Sequence, residues 1–220
     1  MWQKTNPQLY EQVQTSLQSA FPSLEIEEDK GFVHVKGVFP VIAESKIIDN
    51  FTLDIELPLD YPKSVPKIWE TGGRIPRIGD RHVNTLDYTL CLFLADERWK
   101  YYPEGSTIID FLKGPVTYFL WNQINFEATG KWINGERGHN VLGVAEYYTE
   151  ELQTRDPRKV LNFLRYLGKK TIKGHWECWC GSTKKLRNCH IKKLLDLRSK
   201  ISPEVAENSF KKLQEMQRKM

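Results

Sequence analysis

Cys178-x-Cys180 and Cys189-His190 bring three thiols and one imidazole into a stretch of 13 residues. Tetrahedral zinc takes four ligands of these types, and a shell closed by four protein side chains is structural rather than catalytic. Three thiolates overcompensate a divalent ion, and Lys184, Lys185 and Arg187 lie inside the ligand loop, where they would offset the excess. His175 is a further imidazole, worse placed because it precedes the first cysteine. The fourth cysteine, Cys91, stands alone. A thiol nucleophile needs access, a route to deprotonation and donors for the oxyanion formed at an attacked carbonyl. Asn84 offers a side-chain amide, and His82 could order the loop or act as a base. Asp87, Asp96 and Glu97 are the nearby carboxylates that could place an attacking amine. On these residues alone, Cys91 between Leu90 and Leu92 also reads as a small buried hydrophobe, and each carboxylate as a solvated loop charge.

These residues need a scaffold, and the pattern upstream supplies one. Residues 6–20 read as an amphipathic helix: Asn6 caps it, Pro7 suits its first turn, and Leu9, Val13 and Leu17 recur every four residues. Strand-like runs follow at 24–27, 32–39, 51–57 and 65–69, with Pro66 pushing the last toward a sheet edge. One helix and then a run of strands predicts an α+β layer with an antiparallel sheet. Residues 71–102 lose regular periodicity, broken by Gly72, Gly73, Pro76 and Gly79, and a segment of that kind in a compact domain is functional or disordered. Its apolar anchors, Leu90, Leu92, Phe93, Leu94 and Trp99, argue for order. A helix capped by Ser106 then runs to about Asn122, with Gly114-Pro115 expected to kink it. Further helices are expected at 140–153, at 158–167 (opened by Asp156-Pro157, closed by Gly168) and at 203–220, the last with Val205, Phe210, Leu213 and Met216 as its apolar positions.

The chain has 220 residues, enough for one full core and a short second unit. No apolar run is long enough to span a bilayer, and the N-terminus lacks the build of a secretory signal. A cytoplasmic location follows as the expectation, with thiols kept reduced and clustered cysteines holding metal. From residue 151 onward 18 Lys and Arg face 7 Asp and Glu, so the acidic excess sits in the first 150 residues. The basic tail suits an acidic partner or a solvated helical surface. Without a pattern of stacking aromatics, nucleic acid is not expected as a partner. The boundary is expected near Thr154-Arg155, giving domains 1–154 and 155–220 with the metal segment at 174–192.

The run Phe51-Thr52-Leu53-Asp54-Ile55-Glu56-Leu57-Pro58-Leu59-Asp60-Tyr61-Pro62, followed by Val65-Pro66-Lys67-Ile68, resembles the third and fourth strands of ubiquitin-conjugating enzymes. That family continues with a His-Pro-Asn loop, a Cys-Leu pair and a tryptophan before a helix. This chain has His82-Val83-Asn84, Cys91-Leu92 and Trp99, in the same order, and the resemblance covers roughly residues 6–122. Val83 stands where the family has proline, the Asn-to-Cys gap is one residue shorter, and the stretch Gly72–Asp80 is longer than usual. The chain looks more like bacterial relatives found in CBASS-type antiphage defence operons, and the stretch from Trp132 to His139 before Tyr147-Tyr148 is similar to their C-terminal part. The segment Cys178 to His190 resembles the SEC-C motif known from the tail of the preprotein translocase ATPase, with Glu177 and Trp179 in place of prolines.

The resemblance implies a ubiquitin-conjugating-like fold: an N-terminal helix, a four-stranded antiparallel sheet and C-terminal helices, then a small helical zinc-binding tail. It implies that Cys91 carries a thioester, that Asn84 stabilises the oxyanion or loop, and that His82 organises that loop. Asp87, Asp96, Trp99 and His139 become substrate-positioning candidates. The implied donor is the C-terminus of a ubiquitin-like protein or of a cGAS-like nucleotidyltransferase, and the acceptor a lysine-bearing protein. With neither a phosphate-binding loop motif nor a dinucleotide fingerprint in the sequence, the carbonyl is expected to come activated elsewhere, a separate activating enzyme being one candidate partner. Zinc is the expected cofactor, held by Cys178, Cys180, Cys189 and His190. The competing expectation is a non-catalytic module of the same fold, or a zinc adaptor that recruits a partner.

Overall fold

A computed structural model of the chain describes residues 1–133, 138 and 141–219. The fold is α+β, with a four-stranded antiparallel sheet and several helices. It divides into two compact units, and the division is not sequential: residues 1–93 and 100–135 form the first, residues 94–99 and 136–220 the second.

In the first unit a short helix α1 (Trp2–Thr5) leads into α2 (Pro7–Ala20). The Asn6 side chain accepts the Leu9 N–H at 3.2 Å, with Pro7 in the first turn, so the expected cap forms. Strands β1 (Leu24–Asp29), β2 (Phe32–Ala43), β3 (Lys46–Leu57) and β4 (Lys67–Glu70) pair in chain order as an antiparallel meander. Alternation decides which face is buried. Val33, Val35, Phe39 and Val41 on β2 and Leu53, Ile55 and Leu57 on β3 point into the core, while Lys36, Asp54 and Glu56 face outward. Val35 pairs with Ile55 and Ile55 with Ile68, which fixes the register of the buried face.

Residues 71–102 are ordered without being regular, because polar side chains do there what a ladder does elsewhere. Both Glu70 carboxylate oxygens collect N–H groups, from Gly72 (2.7 Å), Arg74 (2.9 Å) and Ile75 (3.2 Å). The division between the units runs through α3 (Arg98–Tyr101). Helix α4 (Ile108–Phe111) is capped by Thr107 and Asp110 in a reciprocal capping box, one residue later than the expected Ser106. Gly114-Pro115 acts as anticipated: the chain widens into a π turn over Leu112–Val116, since proline has no N–H for the normal ladder. The Thr117 hydroxyl takes up the Leu112 carbonyl at 2.7 Å. Helix α5 (Thr117–Thr129) follows and ends at Gly130, whose φ of 70° is open to glycine.

The second unit is helical: α6 (Val141–Leu152), α7 (Pro157–Leu167), α8 (Ile191–Lys200) and α9 (Pro203–Lys219). Tyr147, Tyr148, Phe163, Leu164, Leu167, Leu194 and Leu197 are fully buried in it, and Leu94 and Trp99 pack against the same core. Residues 154–155, where the sequence placed the boundary, fall between α6 and α7 inside this unit. On α9 the buried positions are Ala206, Ser209 and Leu213, with Val205, Phe210 and Met216 only partly covered. Small residues let α9 approach closely: a Cβ on Gly168 would meet the Glu207 backbone at 3.4 Å. Gly168 has φ of −73°, so it serves that close approach rather than a left-handed cap.

Candidate functional site

Cys91 closes a small hairpin. Its N–H donates to the His82 carbonyl at 2.8 Å, Val83 pairs with Leu90, and the Asn84 N–H donates to the Thr89 carbonyl at 2.8 Å. The Leu90 N–H reaches the Ile68 carbonyl on β4 at 2.8 Å, which fastens the hairpin to the sheet. Extended residues alternate in direction, so with Val83 and Leu90 buried, Cys91 turns outward and is exposed. The small-hydrophobe reading of this thiol required the opposite.

The tip of the hairpin is built from Asx-type bonds. Asn84 Oδ1 accepts the Leu86 N–H at 3.3 Å, and Asp87 Oδ1 accepts both the N–H (3.2 Å) and the hydroxyl (2.7 Å) of Thr89. Those Thr89 bonds hold the Asp87 carboxyl below its ordinary pKa. Trp69 Nε1 donates to the Asp87 carbonyl at 2.8 Å. His82 adopts a left-handed conformation (φ 52°), and its ring stands edge-on to Trp132 at 4.7 Å. The hairpin therefore sets His82 directly across from Cys91, with Asn84 two residues nearer the tip and its amide oxygen engaged locally.

Two residues outside the sequence-based candidates anchor this hairpin to α5. Arg81 Nε donates to Gln123 Oε1 at 2.8 Å, and Gln123 Nε2 donates to the Arg81 carbonyl at 2.9 Å. Arg81 also pairs with Glu127 at 3.3 Å and lies over the Phe126 ring. Gln123 is completely buried. A signal for it existed: Val116, Phe119, Leu120 and Gln123 follow the spacing of one buried helical face, and a polar residue on that face needs a partner.

Asp96 and Trp99 belong to the second unit, not to the hairpin. Asp96 is 2% exposed; Tyr148 donates to Oδ1 at 2.6 Å, and the Ser209 hydroxyl lies 2.9 and 2.8 Å from its two oxygens. Burial raises the Asp96 pKa, and the Tyr148 and Ser209 donors only partly counter it. Trp99 Nε1 donates to the Tyr147 hydroxyl at 3.4 Å, and Lys200 sits over its ring at 4.5 Å. Glu97 is buried as well, and His139 lies outside the described residues.

The cysteine-rich segment brings all four proposed ligands together. One ligand atom from each of Cys178, Cys180, Cys189 and His190 lies within 4.8 Å of every other. Cys180 and Cys189 sulfurs are 3.8 Å apart, and His190 Nδ1 is 3.3 Å from the Cys178 sulfur and 3.1 Å from that of Cys189. Tetrahedral zinc with ordinary bond lengths separates two sulfurs by about 3.8 Å and a sulfur from a nitrogen by about 3.5 Å. The donor set and its spacing fit, and Nδ1 is the imidazole atom that faces the sulfurs. Backbone bonds shape the site: the Cys178 N–H meets the Lys184 carbonyl at 2.8 Å, and Gly181 turns with φ of 81°. A 3-10 turn at Leu186–Asn188 then delivers Cys189 and His190 to the start of α8. Trp179 packs between Phe163 and the His190 ring. Burial pushes the Cys178 thiol up to about 11, whereas Cys180, despite its own burial, falls to about 6 because Ser182 donates to it. The cluster can hold a metal ion and is compatible with zinc. His175 is exposed and stands outside it.

No protein-family model matches the chain, and no characterised protein or solved structure matches it either. Among the described residues no helix is long and apolar enough to cross a membrane.

Proposed function

We propose that this chain is a ubiquitin-conjugating-like cysteine acyl carrier with a structural zinc unit, acting in bacterial antiphage defence. The observation that carries the reading is the exposed Cys91 thiol on an ordered hairpin, across from His82 and beyond a four-stranded antiparallel meander. Its resemblance to conjugating enzymes in residues 6–122 names the chemistry. The Cys91 sulfur attacks an activated C-terminal carbonyl, a carbon–sulfur bond forms, and the activating group leaves with its electron pair. The thiol proton passes to a base. An amine, typically lysine, then attacks the thioester carbonyl, an amide forms, and the thiol is regenerated.

His82 holds the Cys91 backbone through its carbonyl, and Asn84 stiffens the tip through Leu86. Among the carboxylates, Asp87 remains ionised and exposed beside the hairpin and is the one suited to favour an incoming ammonium. The donor is the C-terminus of a ubiquitin-like protein or a cGAS-like nucleotidyltransferase, delivered by a separate activating enzyme. Cys178, Cys180, Cys189 and His190 would hold zinc, which supplies a cross-link for folding and no reaction step.

The test is a mass measurement after incubation with an activated donor. Wild type should acquire an adduct on Cys91 that reductant removes, and Cys91→Ser an ester that survives it. If no candidate donor yields either, the carrier reading fails. Zinc quantified per chain should fall from one in wild type to near zero in Cys189→Ala; equal content would remove the ligand assignment.

A further inference from the structure

Two residues after Cys91 the chain leaves the first unit, spends Leu94–Trp99 in the second, and returns at Lys100. Asp96 sits in the middle of that excursion. An exposed carboxylate costs nothing in a loop, whereas one stripped of water must recover its hydration from fixed donors. The donors here are Tyr148 on α6 and Ser209 on α9, the latter 113 residues away in sequence. Leu94 and Trp99 flank Asp96 and pack into the same core as the ligand Cys178 and its neighbours Trp179 and Leu186. Whatever orders the metal cluster therefore also orders the six residues that follow the cysteine hairpin.

We infer that Asp96 is a positioning residue, through which the state of the metal-bearing unit governs the order of the Cys91 hairpin. The inference rests on the reading above only in taking the cluster as a zinc site and Cys91 as the reactive thiol. The route is covalent: a segment clasped at Asp96 adds a further pin to the hairpin strand that ends at Cys91, beyond the Leu90–Ile68 bond, the Arg81–Gln123 pair and the packing of Leu92 and Phe93 on the first core. Loss of zinc would then slacken the reactive cysteine as well as the tail.

Amide hydrogen exchange on the full-length, zinc-loaded protein tests this without any acyl donor, so it can fail while the adduct experiment succeeds, or the reverse. The amides to follow are Glu97 and Arg98, bonded to the Leu94 and Ala95 carbonyls, and Cys91, bonded to the His82 carbonyl. Zinc chelation and, separately, Ser209→Ala should each speed exchange at all three by about tenfold or more. Amides between β2 and β3 should keep their rates. Asp96→Asn, which retains an acceptor oxygen for Tyr148, should keep rates within about threefold of wild type. Acceleration at Glu97 and Arg98 with Cys91 unmoved would overturn the inference. So would equal acceleration throughout the sheet, which would report general loosening.

Discussion

Asp96 has a consequence for pH that the metal ligands do not share. Burial lifts its folded-state pKa above the ordinary 3.8. Below that ordinary value the group is neutral both folded and unfolded, and the second unit keeps its full stability. As pH climbs toward the raised folded value, the unfolded chain releases the proton first, so stability falls and then levels off. Asparagine cannot ionise. The melting temperature of Asp96→Asn minus that of wild type should therefore rise with pH across this window and flatten above it. Acid also strips zinc from thiolates and imidazole, but it does so in both proteins and cancels in the difference. Melts followed by tryptophan fluorescence in excess zinc would check it; a difference that is flat or falls with pH would show that Asp96 is not the desolvated acid described.

The helices and strands were mostly legible because their signals are local. Asn6-Pro7 and Asp156-Pro157 open α2 and α7, and alternation in residues 51–57 marks β3 as a half-buried strand. What stayed hidden was how the irregular stretch between β4 and α4 is held, since that depends on pairs such as Arg81–Gln123, 42 residues apart. Gln123 both accepts from the Arg81 side chain and donates to its carbonyl, in a fully buried position. Gln123→Leu would fit the space yet leave a buried guanidinium N–H and a buried carbonyl unmatched. The expected loss is about 3 kcal/mol for the first unit. Urea unfolding read through its strands would measure this, and a loss under about 1 kcal/mol would mean that the reciprocal pair does not anchor the hairpin.

At the scale of the whole molecule, a boundary near Thr154-Arg155 with a basic stretch beyond it implies a tail joined end to end to an independent first domain. The compact units follow a different logic, because burial of apolar surface, not charge, decides what folds together. Leu94 and Trp99 come from the middle of the chain, Tyr147 and Tyr148 from α6, and their core partners Phe163, Leu164, Trp179 and Leu213 from beyond residue 154. No periodicity in the sequence announces that partnership; only three-dimensional packing does. A chain ended after Thr154 would strand Trp99, Tyr147 and Tyr148, which at about 150–250 Å² each amounts to roughly 600 Å² of aromatic surface. That exceeds the few hundred Å² a soluble monomer ordinarily tolerates. Such a chain should keep its β signal in circular dichroism, because the sheet is complete by Glu70 and its core lies within the first unit. It should also bind more hydrophobic dye, and self-associate more, than the full zinc-loaded chain. Light scattering and dye fluorescence on the two proteins would decide: a shortened chain that stays monomeric and dark would mean that α6 and residues 94–99 do not need the metal-bearing core.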